Sequence, residues 1–246
     1  MSRMFSFISQ RNGKPCTFNP LGGRCPHNCV YCWSMGEKGL VNRYDMKKYQ
    51  GQFELYKSEF RRDFKPGEFW FVQDMSDLFA EGVPVRYIRE TLGIIREFPK
   101  TRFLLLTKNP RGYVPFLSFN EIPWNAVVGA TVETDMIHFD TPSTFKVYRE
   151  ISNAVPPSWR LVIMQRISEA HTHHRLFISV EPILDFTEDF AEQIRMVRPW
   201  AVAVGYDNYH NRLPEPPLKK TLRLIEDLEK FTKVYRKTLR KAWYEK

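Results

Sequence analysis

The chain has 246 residues, enough for one large α/β domain with a substantial core. Apolar residues make up 43% and charged residues 26%, as in ordinary globular proteins, and no apolar run approaches the length of a membrane span. The net charge of +9 is uneven: residues 217–246 hold ten Lys/Arg against four Asp/Glu, which leaves +3 for the rest. A local basic surface predicts an anionic partner, with nucleic acid the first candidate.

The first fifteen residues are polar and basic and read as a poorly anchored lead-in. Residues 17–20 (TFNP) read as a short strand stopped by proline, and Leu21-Gly22-Gly23 turns the chain into a cysteine-rich loop. The pattern over 44–64 is helical, with Gly51 interrupting its start and Pro66-Gly67 ending it. A regular alternation follows. Strands are predicted over 69–75 (FWFVQDM), 102–107, 126–132, 176–180 and 200–204. Helices are predicted over 84–98, where Ile88, Leu92 and Ile95 share a face, over 111–119, over 143–170 with a break at Pro156-Pro157, and over 187–197. Residues 217–246 read as one long amphipathic helix, with Leu218, Leu222, Ile225, Leu228, Phe231, Tyr235, Leu239 and Trp243 on its apolar face. Most of its basic residues, including Lys219, Arg223, Lys230, Lys233, Arg236, Lys237, Arg240 and Lys241, lie off that face and make either a solvated surface or a phosphate-tracking one.

Continuous apolar strands between amphipathic helices predict a parallel sheet covered by helices, and six such units fit a partial (β/α)6 TIM-type barrel. The predicted organisation is a barrel over 1–216, with its cysteine loop at 16–33, and a basic helical extension over 217–246. In such barrels the chemistry sits at the carboxyl ends of the strands. Those positions carry polar residues repeatedly: Gln73, Asp74, Ser76 and Asp77; Thr107, Lys108 and Asn109; Glu133, Thr134 and Asp135; Glu181 before Pro182; and Tyr206, Asp207 and Asn208. Gly205, Tyr206 and Tyr209 are candidates to frame a substrate entrance.

Three of the four cysteines, Cys25, Cys29 and Cys32, fall within eight residues at C-x3-C-x2-C spacing, with Tyr31 before the last. Thiolates select zinc, copper(I) or iron–sulfur clusters. A cubane cluster usually takes four cysteines, so three leave one iron open to a non-protein ligand. A zinc site completed by Cys16 or His27 is the alternative, and with it a non-catalytic zinc-containing nucleic-acid-binding protein; structural zinc usually shows a second C-x2-C pair, which this chain lacks. Residues 1–10 lack an apolar run long enough for a signal peptide, which predicts a reducing, cytoplasmic setting and argues against disulfides. Cys16 reads as a core residue, a hydrogen-atom donor or a ligand of a second metal. His171, His173 and His174 read as an exposed loop or a metal group.

The C-x3-C-x-aromatic-C loop resembles the signature of the radical S-adenosylmethionine (SAM) superfamily. The phrases FVQDMSDLF, LLTKNP, VGATVETD and FISVEPIL extend the resemblance to the branch around spore photoproduct lyase, DNA repair photolyase-like proteins and a related group found in phages and prokaryotes. The match covers roughly residues 18–206. The resemblance implies a [4Fe–4S] cluster on Cys25, Cys29 and Cys32, whose open iron is chelated by SAM. An external one-electron donor, such as a flavodoxin or ferredoxin, would supply the electron that cleaves SAM to methionine and a 5′-deoxyadenosyl radical. It places Tyr31 against the adenine. Lys108 is a candidate for the SAM carboxylate, and Ser76, Glu133 and Glu181 for its amino group or ribose hydroxyls, Glu181 alternatively pairing with Lys108. The family's Gly-Gly-Glu after the second strand, which holds the SAM amino group, is replaced by Gln73-Asp74-Met75-Ser76. The lyase's C-terminal part with its hydrogen-donor cysteine is not matched, so the lyase's exact reaction is not carried over. The implied activity is radical repair or modification of a nucleic acid, with a peptide or small anionic metabolite still open as substrate; methyl or aminocarboxypropyl transfer from SAM also stays open.

Overall fold

The computed structural model describes residues 4–136 and 148–246. Seven strands form its main sheet: β1 (Thr17–Phe18), β2 (Phe69–Val72), β3 (Arg102–Thr107), β4 (Ala126–Thr131), β5 (Leu176–Val180), β6 (Ala201–Val204) and β7 (Lys233–Arg236). They stand side by side in chain order, and every neighbouring pair is parallel. Helices α1 (Val85–Glu97), α2 (Val114–Ser118), α3 (Pro157–Ala170), α4 (Phe190–Val197) and α5 (Leu218–Glu229) fill the crossovers from β2 onward. Right-handed crossovers repeated in one direction put all helices on one face of the sheet and leave the other concave. β1 and β7 are its two edges, so the barrel is partial.

Alternation along the strands separates the two faces. Trp70, Val72, Phe103, Leu105, Val128, Ile178, Val180, Val202 and Val204 pack outward on Leu92, Ile95, Leu161, Met164, Ile194 and Ile225 of the helices. Phe69, Phe71, Leu104, Val127, Phe177, Ala201 and Ala203 face inward, and Phe5 and Ile8 are buried against them. The N-terminal segment is therefore a plug in the open barrel, which corrects its reading as a loose lead-in. Phe5 lies 5.2 Å edge-on to Phe177, and Phe7 sits 4.8 Å from Tyr235 and 5.6 Å from Trp200. The concave face of an unclosed sheet needs apolar cover, and the aromatic residues amid the polar lead-in supply it. Phe5→Ala is expected to destabilise the protein by about 3–5 kcal/mol, read from urea unfolding; a cost under about 1 kcal/mol would mean that the plug is dispensable.

Two expected elements differ. The helix over 44–64 is replaced by a short helical turn at Leu40–Arg43, 3-10 turns at Lys47–Tyr49 and Lys57–Arg61, and a strand Glu54–Leu55 paired antiparallel with Leu21–Gly22. Positive φ at Asp45 and Gly51 (46° and 75°) breaks any helix there. The long C-terminal helix is in fact α5 followed by β7. Thr232 Oγ1 bonds Pro199 O at 2.8 Å as the chain turns, and residues 233–236 then pair along all of β6. Leu222, assigned to the apolar face, is exposed, and Tyr235 turns inward onto the plug. Of the predicted helix over 143–170, residues 143–147 lie outside the described residues; the part after Pro156 forms as α3.

Candidate functional site

The carboxyl ends of the strands open into a cavity of about 1110 Å³. Its wall includes Cys25, Cys29 and Cys32, together with Tyr31, Ser76, Lys108 and Glu181. From the strand ends, Gln73, Asp74, Asp77, Thr107, Pro182, Tyr206, Asp207, Asn208 and Tyr209 join them. The fold thus brings most of the polar strand ends to the thiols, as the barrel reading requires.

The loop is held by identifiable contacts. Gly23 has φ +94°, and a Cβ there would lie 2.6 Å from Gln52 O; a Cβ on Gly36 would lie 2.5 Å from Cys32 O. Both turns therefore need glycine. Asp77 is the hub: one carboxylate oxygen meets His27 Nε2 at 2.7 Å and accepts bonds from Thr107 Oγ1 (2.8 Å) and the Lys108 N–H (2.9 Å), and the other accepts the Phe79 N–H (2.9 Å). Burial works against its charge, but these bonds hold its carboxyl below the usual range. On the far side of the loop Val30 N–H bonds Ile151 O (2.9 Å), Asn153 N–H bonds His27 O (2.7 Å), and Ser152 Oγ lies 3.1 Å from Cys29 Sγ. Cys25 N–H donates to Met35 Sδ at 3.0 Å, and Met35 N–H donates to Cys32 Sγ at 3.2 Å. Gln73 (φ 61°) ties β2 to the approach to the loop by bonding both Leu21 N–H (3.0 Å) and Leu21 O (2.7 Å).

Beneath this wall lies a buried ion network. Glu133 and Arg160 are fully buried and paired at 2.7 Å, and Arg160 also donates to Thr131 O (2.7 Å), Val155 O (2.6 Å) and Tyr148 Oη. Tyr31 Oη donates to Glu133, and Lys108 Nζ lies 3.8 Å from Glu133 and 5.3 Å from the centre of the Tyr31 ring. Burial would raise the Glu133 carboxyl, yet Arg160 and then Lys108 keep it below its ordinary value. Burial opposes the Lys108 charge too, while Cys29 and Glu133 raise its pKa, so it stays an ammonium facing the cavity. Glu133 is not on the cavity wall: it sits behind Tyr31 and Lys108 and orients them. Thr134 and Asp135 turn away as well; Thr134 Oγ1 bonds Asp185 O, and Asp135 accepts from Thr187 and Gln193.

Two polar atoms at the cavity are buried without a hydrogen-bond partner, Ser76 Oγ and Glu181 Oε1. Glu181 pairs with Lys237 at 3.6 Å. Asp74 accepts a 2.7 Å bond from Asn19, yet burial pushes its carboxyl up to about 6. A folded pKa above the unfolded one means that the associated stability is complete at low pH and is lost as pH rises through about 6. Asp74→Asn is therefore expected to gain on the order of 2 kcal/mol in urea unfolding near pH 7.5 and nothing below about pH 4; a loss at both pH values would contradict the burial account.

Cys16 lies in the core between sheet and helices, and His171, His173 and His174 precede β5 at the opposite end of the strands. None of the four lines the cavity. Burial, then His173, pushes the His174 imidazole down to about 4. Among the described residues no group of three or more His, Cys, Asp or Glu side chains is arranged to hold a single metal ion. Sequence reasoning missed Arg160, which looks like a surface arginine on a helix; Ser152, which carries no motif; and Lys237, whose signal was the β-forming Val234-Tyr235 just before it. Its basic neighbours are ion-paired too: Arg236 pairs with Glu229 at 2.9 Å, Arg240 with Glu215 at 2.6 Å and Lys230 with Asp227 at 2.6 Å.

The chain belongs to DUF5131, a family described as "Protein of unknown function", whose model matches residues 15–151. No curated protein sequence matches it. Among solved structures it is similar to a spore photoproduct lyase mutant with bound AdoMet and dinucleoside spore photoproduct, at 14% identity and a TM-score of 0.55. It is also similar to spore photoproduct lyase complexed with dinucleoside spore photoproduct, at 13% identity and a TM-score of 0.52. Each likeness covers 94% of this chain and 65% of the other, so the chain spans just under two thirds of the proteins it resembles. At this identity the likeness shows the fold: an α/β partial barrel with a seven-stranded parallel sheet.

Proposed function

We propose that this protein is a radical SAM enzyme that repairs or modifies a nucleic acid. The observation that carries the reading is that Cys25, Cys29 and Cys32 open together into the cavity at the strand ends, beside the Lys108 ammonium. The donor set fits a [4Fe–4S] cluster: three soft thiols on one short loop, with the Met35 N–H aimed at Cys32 Sγ and a hydroxyl at Cys29 Sγ. A closed zinc site has less support. His27 Nε2 is engaged by Asp77, and Cys16 sits in the core. Burial lifts the Cys25 and Cys29 thiols, so metal coordination, which needs thiolates, would release their protons.

When bound, such a cluster supplies the electron that cleaves SAM reductively; an external donor such as a flavodoxin or ferredoxin would recharge it. Of this chain's residues, Lys108 would take the SAM carboxylate as a charge-assisted pair, and the unpartnered Ser76 Oγ would meet the amino group or a ribose hydroxyl. Tyr31, pinned by Glu133, would pack on the adenine. Glu133, tied up by Arg160, would act by positioning Tyr31 and Lys108 rather than by touching SAM.

The nucleic-acid part of the reading draws on the basic C-terminal segment and on the dinucleoside product bound by the lyase. Among the described residues no helix is long and apolar enough to cross a membrane; a reducing, cytoplasmic setting belongs to the proposal because the thiols must stay reduced. The test is anaerobic reconstitution with iron and sulfide, then incubation with dithionite and SAM. Release of 5′-deoxyadenosine is expected; methylthioadenosine would point to aminocarboxypropyl transfer instead, and intact SAM would contradict the reading.

A further inference from the structure

The cavity has two unlike sides. The cysteine loop, Ser76 and Lys108 make one, and the ends of β5, β6 and β7 make the other. At about 1110 Å³ it exceeds the roughly 300–1,000 Å³ of a pocket for one small ligand, so it has room for a second molecule beside a cofactor. On the second side Glu181 Oε1 is buried without a partner while Oε2 faces Lys237 Nζ at 3.6 Å. Asn208 lies beside them, fixed by Thr238 Oγ1 at 2.5 Å, and Tyr209 adds an aromatic face. An unpaired buried carboxylate oxygen is costly and asks for a donor. Its neighbour is an ammonium, which has protons and no lone pair. Side by side, the open Glu181 Oε1 and an ammonium already held by Glu181 Oε2 and by the Phe5 ring at 4.7 Å suit a group carrying N–H next to C=O.

We infer that the Glu181–Lys237 pair is a base-reading subsite that takes an unstacked nucleobase with a lactam edge: guanine, thymine or uracil. Glu181 Oε1 accepts the ring N–H, and Lys237 donates to the adjacent carbonyl oxygen, while Tyr209 offers a stacking face. A carbonyl oxygen has two lone pairs and tolerates an off-axis ammonium; adenine and cytosine put their N–H2 beside a ring nitrogen with a single directed pair, a poorer match. The inference rests on the proposed function in that it leaves the cysteine side to SAM, and it moves Glu181 from the cofactor to the substrate.

The test uses the full chain, reconstituted, and measures two affinities separately: SAM by equilibrium dialysis, and short single-stranded DNAs with one varied central base by fluorescence anisotropy. Central thymine or guanine is expected to bind about tenfold more tightly than an abasic site, and 3-methylthymine, which lacks the N–H, to lose that gain. Glu181→Gln and Lys237→Met are each expected to lose most of the difference, with SAM affinity as the separating readout. Equal binding of thymine, 3-methylthymine and abasic probes by the unaltered protein overturns the inference, as does a Glu181→Gln effect on SAM in place of DNA. Failure of the unaltered protein to bind SAM, with base discrimination intact, would instead strike the proposed function alone.

Discussion

Arg160→Met is expected to cost about 3–5 kcal/mol of stability, because it takes the closest cation from the fully buried Glu133 carboxylate and leaves it with Tyr31 and the more distant Lys108 at 3.8 Å. Arg160 also satisfies two backbone carbonyls, Thr131 O at the end of β4 and Val155 O before α3, so its loss would loosen the seam on which Tyr31 and Lys108 rest. Arg160→Met with Glu133→Gln should recover part of the loss, since the second change removes the uncompensated charge. Urea unfolding of the single and double variants measures this. A single-variant cost below about 1 kcal/mol, or a double variant worse than the sum of the two singles, would show that Glu133 is not held as an ion.

Cys29→Ala should have the largest effect on activity. Its thiol lies deepest in the loop, 3.1 Å from Ser152 Oγ and electrostatically coupled to Lys108. If Cys29 is a direct cluster ligand as proposed, its loss should exceed the roughly 10–100-fold penalty of losing a supporting partner, leaving no measurable SAM cleavage. Ser152→Ala makes the comparison: it removes only support and should fall within that 10–100-fold range while keeping most of the iron. Equal SAM cleavage by Cys29→Ala and the unaltered protein would remove Cys29 from the site.

The barrel was legible because its strands are short continuous apolar runs, such as RFLLLT and LFISV, whose predicted and observed bounds coincide. Periodicity failed where two patterns overlap. In the C-terminal segment, apolar residues three and four apart continue through Phe231, Tyr235 and Leu239, so a helix reading runs on through β7; only pairing with β6, a contact distant in sequence, decides for strand. The plug was missed for a similar reason. Phe5 and Phe7 are ordinary residues in a polar context until an open barrel offers them a concave face. At the site, the cysteines and the polar strand ends could be read because the fold alone delivers them to one mouth. The partners of Glu133 and Glu181 could not, since each is a cation from elsewhere in the chain, Arg160 from α3 and Lys237 from just beyond β7. Asp77, one of the polar strand-end residues, caps the Phe79 N–H and also ties His27 of the cysteine loop to the end of β3.

The most direct test of the central claim, that Cys25, Cys29 and Cys32 hold a [4Fe–4S] cluster open to SAM, is metal analysis with electron paramagnetic resonance on anaerobically reconstituted protein. The account predicts about four irons per chain and a reduced-cluster signal that changes when SAM is added. A colourless protein carrying one zinc, or a cluster signal indifferent to SAM, would contradict it.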